Sequence, residues 1–156
     1  SEKTCNDSNN NIINIFNKFH EIVIELKERH DNRQTLIVKD EYDVQDLLHA
    51  LLHLYFEDIR VEEWTPSCCG TSSRQDFLLH NENIVIETKM TRTGLNNKEL
   101  ANELIIDIER YKKHPNCKTL YCFVYDPINK IKNPRGFEKD LTKNTDGLQV
   151  VVIIKP

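Results

Sequence analysis

Asp76, Glu87 and Lys89 are the residues of this 156-residue chain whose types and spacing point to chemistry. Glu87 and Lys89 flank Thr88 in the segment NIVIETK, where β-branched residues dominate and predict a strand. Residues two apart on a strand share a face, so a carboxylate and an ammonium project together while Ile86 and Thr88 turn away. If the preceding strand pairs antiparallel, the eleven-residue separation brings Asp76 beside Glu87 across a hairpin. Two carboxylates so placed repel, and a divalent cation makes the arrangement tolerable. Mg²⁺ suits it: the ion takes hard oxygen ligands at ~2.0–2.1 Å, commonly one or two carboxylates, and keeps waters for a phosphate substrate. An ammonium beside such a site can orient a nucleophile and stabilise developing negative charge, or give up its proton if the site depresses its pKa. The competing reading is an exposed charged row on a sheet edge, because a bare D…ExK recurs by chance.

The elements that must position these residues follow from apolar periodicity. Ile12, Ile15, Phe16, Phe19, Ile22, Val23 and Leu26 form one stripe of a helix over residues 11–29, which packs on the domain, pairs with a second copy or docks to a larger protein. A second helix starts at Asp40, Glu41 and Asp43 and continues through Val44, Leu47, Leu48, Leu51, Leu52 and Tyr55, with Gln45, His49 and His53 on its other side. Strands are predicted at residues 59–64, 74–79 and 83–89, the segment CCGTSSR joining the first two as a loop. Residues 97–114 return to helical period, and Pro115 ends that helix. A buried strand over 119–125, a short helix over 135–142 and a last strand over 148–154 complete an α/β order that suits a mixed sheet flanked by helices.

This arrangement resembles the PD-(D/E)XK nuclease superfamily, with its restriction-endonuclease-like α-β-β-β-α-β core, and the small nuclease domains of prokaryotic restriction and anti-phage systems. TSSRQDFLL stands as the Asp strand and NIVIETKMTR as the ExK strand, and the resemblance runs from about Glu41 to Tyr125. Gln75 replaces the proline of the family name, at a position that varies widely. The resemblance implies Asp76 and Glu87 as metal ligands, the backbone carbonyl of Thr88 as a third, and Lys89 as the catalytic lysine. Gln45 falls where many members place a polar or acidic residue near the metal, and Glu41 is the other candidate. Glu103, Asp107 and Tyr111 recur every four residues and resemble the glutamine-and-tyrosine motif of some relatives; spacing alone equally allows a solvated face, with Tyr111 in the core.

Composition narrows the partners. The length suits one domain over residues 1–156: a helical extension over 1–33, a core over 41–125 and a C-terminal helix and strand over 126–156. No apolar run approaches the ~18 residues that cross a bilayer, and the polar opening is no secretory signal, so a soluble cytoplasmic protein is expected. Five cysteines without a CxxC pair read as reduced thiols, including adjacent Cys68 and Cys69. The net charge of −4 hides a split of −7 over residues 1–63 (7 Lys/Arg against 14 Asp/Glu) and +3 over 64–156 (14 against 11). A polyanion is therefore expected on the second part of the chain. Arg74, Arg92, Lys98, Arg110, Lys112 and Lys113 flank the supposed site as backbone-phosphate contacts, Arg92 the preferred clamp, and Lys130, Lys132, Arg135 and Lys139 form a second cluster. His49 and His53 have the i, i+4 spacing of zinc ligands, with Asp46 close by but no nearby third His or Cys. The G-x-S-x-G elbow and phosphate-loop fingerprints are missing.

The reading drawn from the sequence is a Mg²⁺-dependent endonuclease, with Mn²⁺ as a substitute, in which water attacks phosphorus and Lys89 assists. DNA is the expected substrate, within a restriction or defence system. RNA cleavage and a non-catalytic interaction or dimerisation domain stay open. A symmetric dimer is expected if both strands are cut, and the N-terminal helix is a candidate attachment to a larger defence protein.

Overall fold

The computed structural model describes residues 2–63 and 75–156. The predicted loop CCGTSSR, with Cys68, Cys69 and Arg74, lies outside these residues. Four α-helices, a 3₁₀ turn at His30–Asn32 and six strands are present among those described: α1 (Glu2–Lys27), α2 (Glu41–Leu52), β1 (Ile59–Glu63), β2 (Gln75–Leu79), β3 (Ile84–Met90), α3 (Asn97–Tyr111), β4 (Thr119–Tyr125), α4 (Pro134–Leu141), β5 (Lys143–Thr145) and β6 (Leu148–Lys155).

Helix starts follow local chemistry. Asp40 accepts from the Asp43 N–H at 3.0 Å while the Asp43 carboxylate accepts from the Asp40 N–H, a reciprocal cap that fixes the first turn of α2. Asn96 and Glu99 do the same for α3. Asn133 caps α4, with Pro134 in its first turn, where no N–H is needed. The α2 helix stops at Leu52, short of the expected Tyr55, because Leu54 and Tyr55 donate to Leu51 and Leu52 in a tightened turn.

The six strands form one mixed sheet in the order β1-β2-β3-β4-β6-β5. The β1, β2 and β3 strands run antiparallel, β3, β4 and β6 parallel, and β5 returns antiparallel to β6. This is the α/β mixed sheet flanked by helices that the sequence predicts. Strand alternation gives the sheet two apolar faces, each covered by two helices. Phe77, Ile84, Ile86, Tyr121 and Phe123 pack against α1 and α2, whereas Leu78, Val85, Cys122, Val124 and Val152 pack with Leu100, Leu104, Ile108 and Tyr111 of α3 and Leu141 of α4.

The α1 helix is an integral layer. Its stripe of Ile12, Ile15, Phe16, Phe19 and Val23 is buried in its own domain, Phe16 stacking on Phe123 at 4.4 Å and Phe19 meeting it edge-on at 5.1 Å. At roughly 1.5–3 kcal/mol per buried side chain, those five residues contribute on the order of 10 kcal/mol, comparable to the whole stability of a domain. Of the three uses open for the stripe, packing on the domain is the one observed. The helix also begins nine residues earlier than its apolar pattern, at Glu2. Exposed polar residues carry no periodicity, but Tyr121 Oη donates to Asn9 Oδ1 at 2.6 Å and ties that first part to the sheet.

The C-terminal segment holds a strand beyond those predicted. Asp146 and Gly147, both at positive φ (49° and 81°), make a two-residue hairpin that folds β5 onto β6.

Candidate active site

Asp76, Glu87 and Lys89 converge. Phe77 pairs with Ile86 across the β2–β3 hairpin, so one step further along the ladder Asp76 and Glu87 stand side by side. Both point to the α3 side of the sheet, continuing the line of Leu78 and Val85, and Lys89 follows two residues on. None is an exposed edge residue: Asp76 is 2 %, Glu87 1 % and Lys89 1 % exposed. The reading as an exposed charged row therefore fails, because α3 packs over this part of the sheet.

Burial without neutralisation is costly for a carboxylate, and the site shows that cost. Desolvation pushes the Glu87 carboxyl well above its ordinary range, and the neighbouring Asp76 charge pushes it further. Asp76 is raised too, again by desolvation first, with hydrogen bonds from Glu87 and Tyr111 opposing. As ionised groups, Asp76 Oδ1 and Glu87 Oε2 are buried acceptors without a donor. Two states resolve this: a proton held between the carboxyls, or a cation. Among the described residues no group of three or more His, Cys, Asp and Glu side chains is assembled around a metal position. The donor set still fits Mg²⁺, which binds through one or two carboxylates and retains waters, and Asp76, Glu87 and the Thr88 carbonyl are the groups that would hold it.

The lysine stands among acids. Lys89 Nζ lies 3.2 Å from Glu87 Oε1, 3.0 Å from Asp107 Oδ2 and 3.8 Å from Glu103 Oε2. The other Asp107 oxygen is 3.5 Å from Arg110, and Glu103 reaches Arg92 at 3.9 Å. The Tyr111 hydroxyl donates to Asp76 Oδ2, and burial followed by the Asp76 charge raises the phenol's own pKa far above its ordinary value. The Glu103, Asp107 and Tyr111 face is thus turned inward. Tyr111 is core, as expected from its spacing, and also touches the site. The signal in the sequence is that Asp107 falls within the stripe of Leu100, Leu104, Ile108 and Tyr111, where a solvated carboxylate does not belong.

Other predicted positions are distributed around this centre. Gln45 is buried on α2, the helix on the opposite face of the sheet, and among the described residues no hydrogen bond joins it to the three. Glu41, at the start of the same helix, adds negative potential at Glu87, after Asp76 and Asp107. Thr88 faces the α1–α2 side with Phe123 beside it, leaving its carbonyl as its route to the site. Arg92 is exposed on the loop after β3, and Lys98 is exposed at the start of α3. At the far end of α3, Lys113 is exposed, while Lys112 is engaged by Glu109 at 2.6 Å and Asp146 at 3.5 Å. Lys130 Nζ donates to the Thr93 carbonyl at 2.9 Å, which sets part of the second basic cluster beside Arg92. Asp126, absent from the predicted site, secures this rim: its carboxylate accepts from Thr91 Oγ1 and from the Lys130 and Ile131 N–H groups. His49 stacks on His53 and tilts against Phe77, a packing role. Among the described residues no helix is long and apolar enough to cross a membrane.

A family model, DpnII-MboI (REase_DpnII-MboI), matches residues 10–156. The match takes in α1 as well as the 41–125 core on which the resemblance rested, in keeping with the role of α1 as a structural layer. Comparisons with curated proteins and with solved structures returned no match.

Proposed function

Because the chain belongs to the DpnII-MboI restriction endonuclease family, a PD-(D/E)XK-type family of DNA nucleases, we propose that it hydrolyses phosphodiester bonds in duplex DNA with Mg²⁺ at Asp76 and Glu87. We place it in the cytoplasm, as the nuclease of a prokaryotic restriction or anti-phage system. The observation that carries the metal site is the pair of buried, donor-less carboxylate oxygens on one sheet face, with an ion-paired ammonium two residues away.

When bound, the dication would supply Lewis acidity toward a phosphoryl oxygen and would acidify a water. The chain's own residues do the rest. Asp76 and Glu87 present oxygens, and the Tyr111 hydroxyl donates to Oδ2 of Asp76, leaving Oδ1 without a donor. Lys89 brings positive charge to the point where the phosphate gains negative charge, in a buried setting where that interaction is strong. Arg92 and Lys98, exposed on the rim, position the backbone by phosphate contacts, and Lys113 extends the footprint along α3. Glu41, whose charge also reaches Glu87, is a further acid should a second ion be held.

The test is cleavage of supercoiled plasmid, single-stranded DNA and single-stranded RNA in Mg²⁺, with Lys89→Ala as the control. Cutting of duplex DNA by the wild type and not by the variant supports the reading. Preference for RNA changes the substrate class, and equal inertness of both proteins in Mg²⁺ and Mn²⁺ assigns the fold a scaffold role.

A further inference from the structure

Lys89 is the buried cation of a site dominated by acids, and its position is set by competition among them. Glu87, on the same strand face, offers Oε1 at 3.2 Å. The other oxygen of that carboxylate, Oε2, is buried without a donor. Asp107 pulls from the other side, and its contact, at 3.0 Å, is the shorter of the two. Asp107 is itself 5 % exposed, and its other oxygen pairs with Arg110 at 3.5 Å. Glu103, at 3.8 Å and partly open to solvent, is the weaker third partner.

We propose that Asp107 is a positioning residue for Lys89: from α3 it shares the ammonium with Glu87 and keeps it from closing fully onto that carboxylate, so that it can meet the reacting phosphate. The inference rests on Lys89 acting in catalysis. It gives α3 a second task besides covering the sheet, and it explains why a carboxylate interrupts the buried stripe of that helix. Replacing a buried charge by its amide keeps the shape and removes the pull. The ammonium then pairs more closely with Glu87, its remaining strong partner, and the rate suffers while DNA binding, which depends on the exposed rim, does not.

The experiment compares wild type, Asp107→Asn, Asp107→Glu and Lys89→Ala for kcat and KM on a defined duplex in Mg²⁺. Duplex affinity is measured by fluorescence anisotropy and folding by thermal melting, with Asp107→Ser replacing the Asn variant if that one does not fold. Outer-layer partners of catalytic groups typically cost about 10- to 100-fold when removed, so Asp107→Asn is expected to lose that much kcat. KM and affinity should stay within roughly threefold, a loss confined to the transition state. Asp107→Glu should recover part of the loss, since it restores the charge. An Asn variant with wild-type kcat, or a Glu variant no better than Asn, overturns the proposal. Full activity in Lys89→Ala overturns instead the function on which it rests.

Discussion

A carboxylate pair taken out of water must hold either a proton or a cation, and Asp76 with Glu87 is such a pair. Both pKa values are raised, first by desolvation, so the folded values lie above the unfolded ones of about 4. The sign follows: the pair favours folding fully below the unfolded values, and that contribution is lost as pH rises through the raised folded ones. Metal-free protein should therefore gain more stability from Asp76→Asn at pH 8 than at pH 5, with urea midpoints in EDTA as the measurement. Mg²⁺ should stabilise the wild type more at pH 8 than at pH 5, because binding displaces the proton. A wild-type-to-variant gap that ignores pH would show that the carboxyls do not share a site. At this scale much was legible, since strand period and hairpin spacing suffice to place Asp76, Glu87 and Lys89 together. Asp107 and Tyr111 were ambiguous because a four-residue spacing marks a face without saying whether that face meets water or a sheet.

Among the elements, α1 separates what sequence pattern reveals from what packing adds. Its apolar stripe announces a helix that must be buried, but the choice among its own domain, a second copy and a larger protein depends on whether a matching apolar face exists. That face is made by Tyr121, Phe123 and Tyr125 of β4, some hundred residues away. Phe16→Ala removes a fully buried ring stacked on Phe123 and should cost about 3–5 kcal/mol, read as a shift in denaturant midpoint. A loss below ~1 kcal/mol would mean that α1 is an appendage after all. The β5 strand was missed for a different reason. Three residues of Lys, Asn and Thr carry no hydrophobic alternation, and only the Asp146-Gly147 pair marked the hairpin.

Across the whole molecule, charge is segregated: acidic over the first 63 residues, basic over the remainder. Association with DNA should therefore depend steeply on salt, each phosphate contact contributing a slope of about −0.9 in log affinity against log salt concentration. Arg92→Gln and Lys98→Gln should each flatten that slope by about one while leaving the metal requirement intact. Binding that does not change with salt would remove the rim from the interface. Fold class was legible because helix and strand periods alternate cleanly from Glu41 onward. The network around Lys89 was not, because α3 meets β3 only through tertiary packing.

The central claim is that Asp76, Glu87 and Lys89 form one metal-assisted hydrolytic centre. Single-turnover cleavage of a labelled duplex, titrated with Mg²⁺, tests it most directly when wild type is compared with Asp76→Asn, Glu87→Gln and Lys89→Ala. The wild-type rate should rise to saturation with the ion, and each variant should fall by roughly 10²- to 10⁴-fold at saturating duplex. Cleavage that needs no divalent ion, or variants that cut as fast as the wild type, would contradict it.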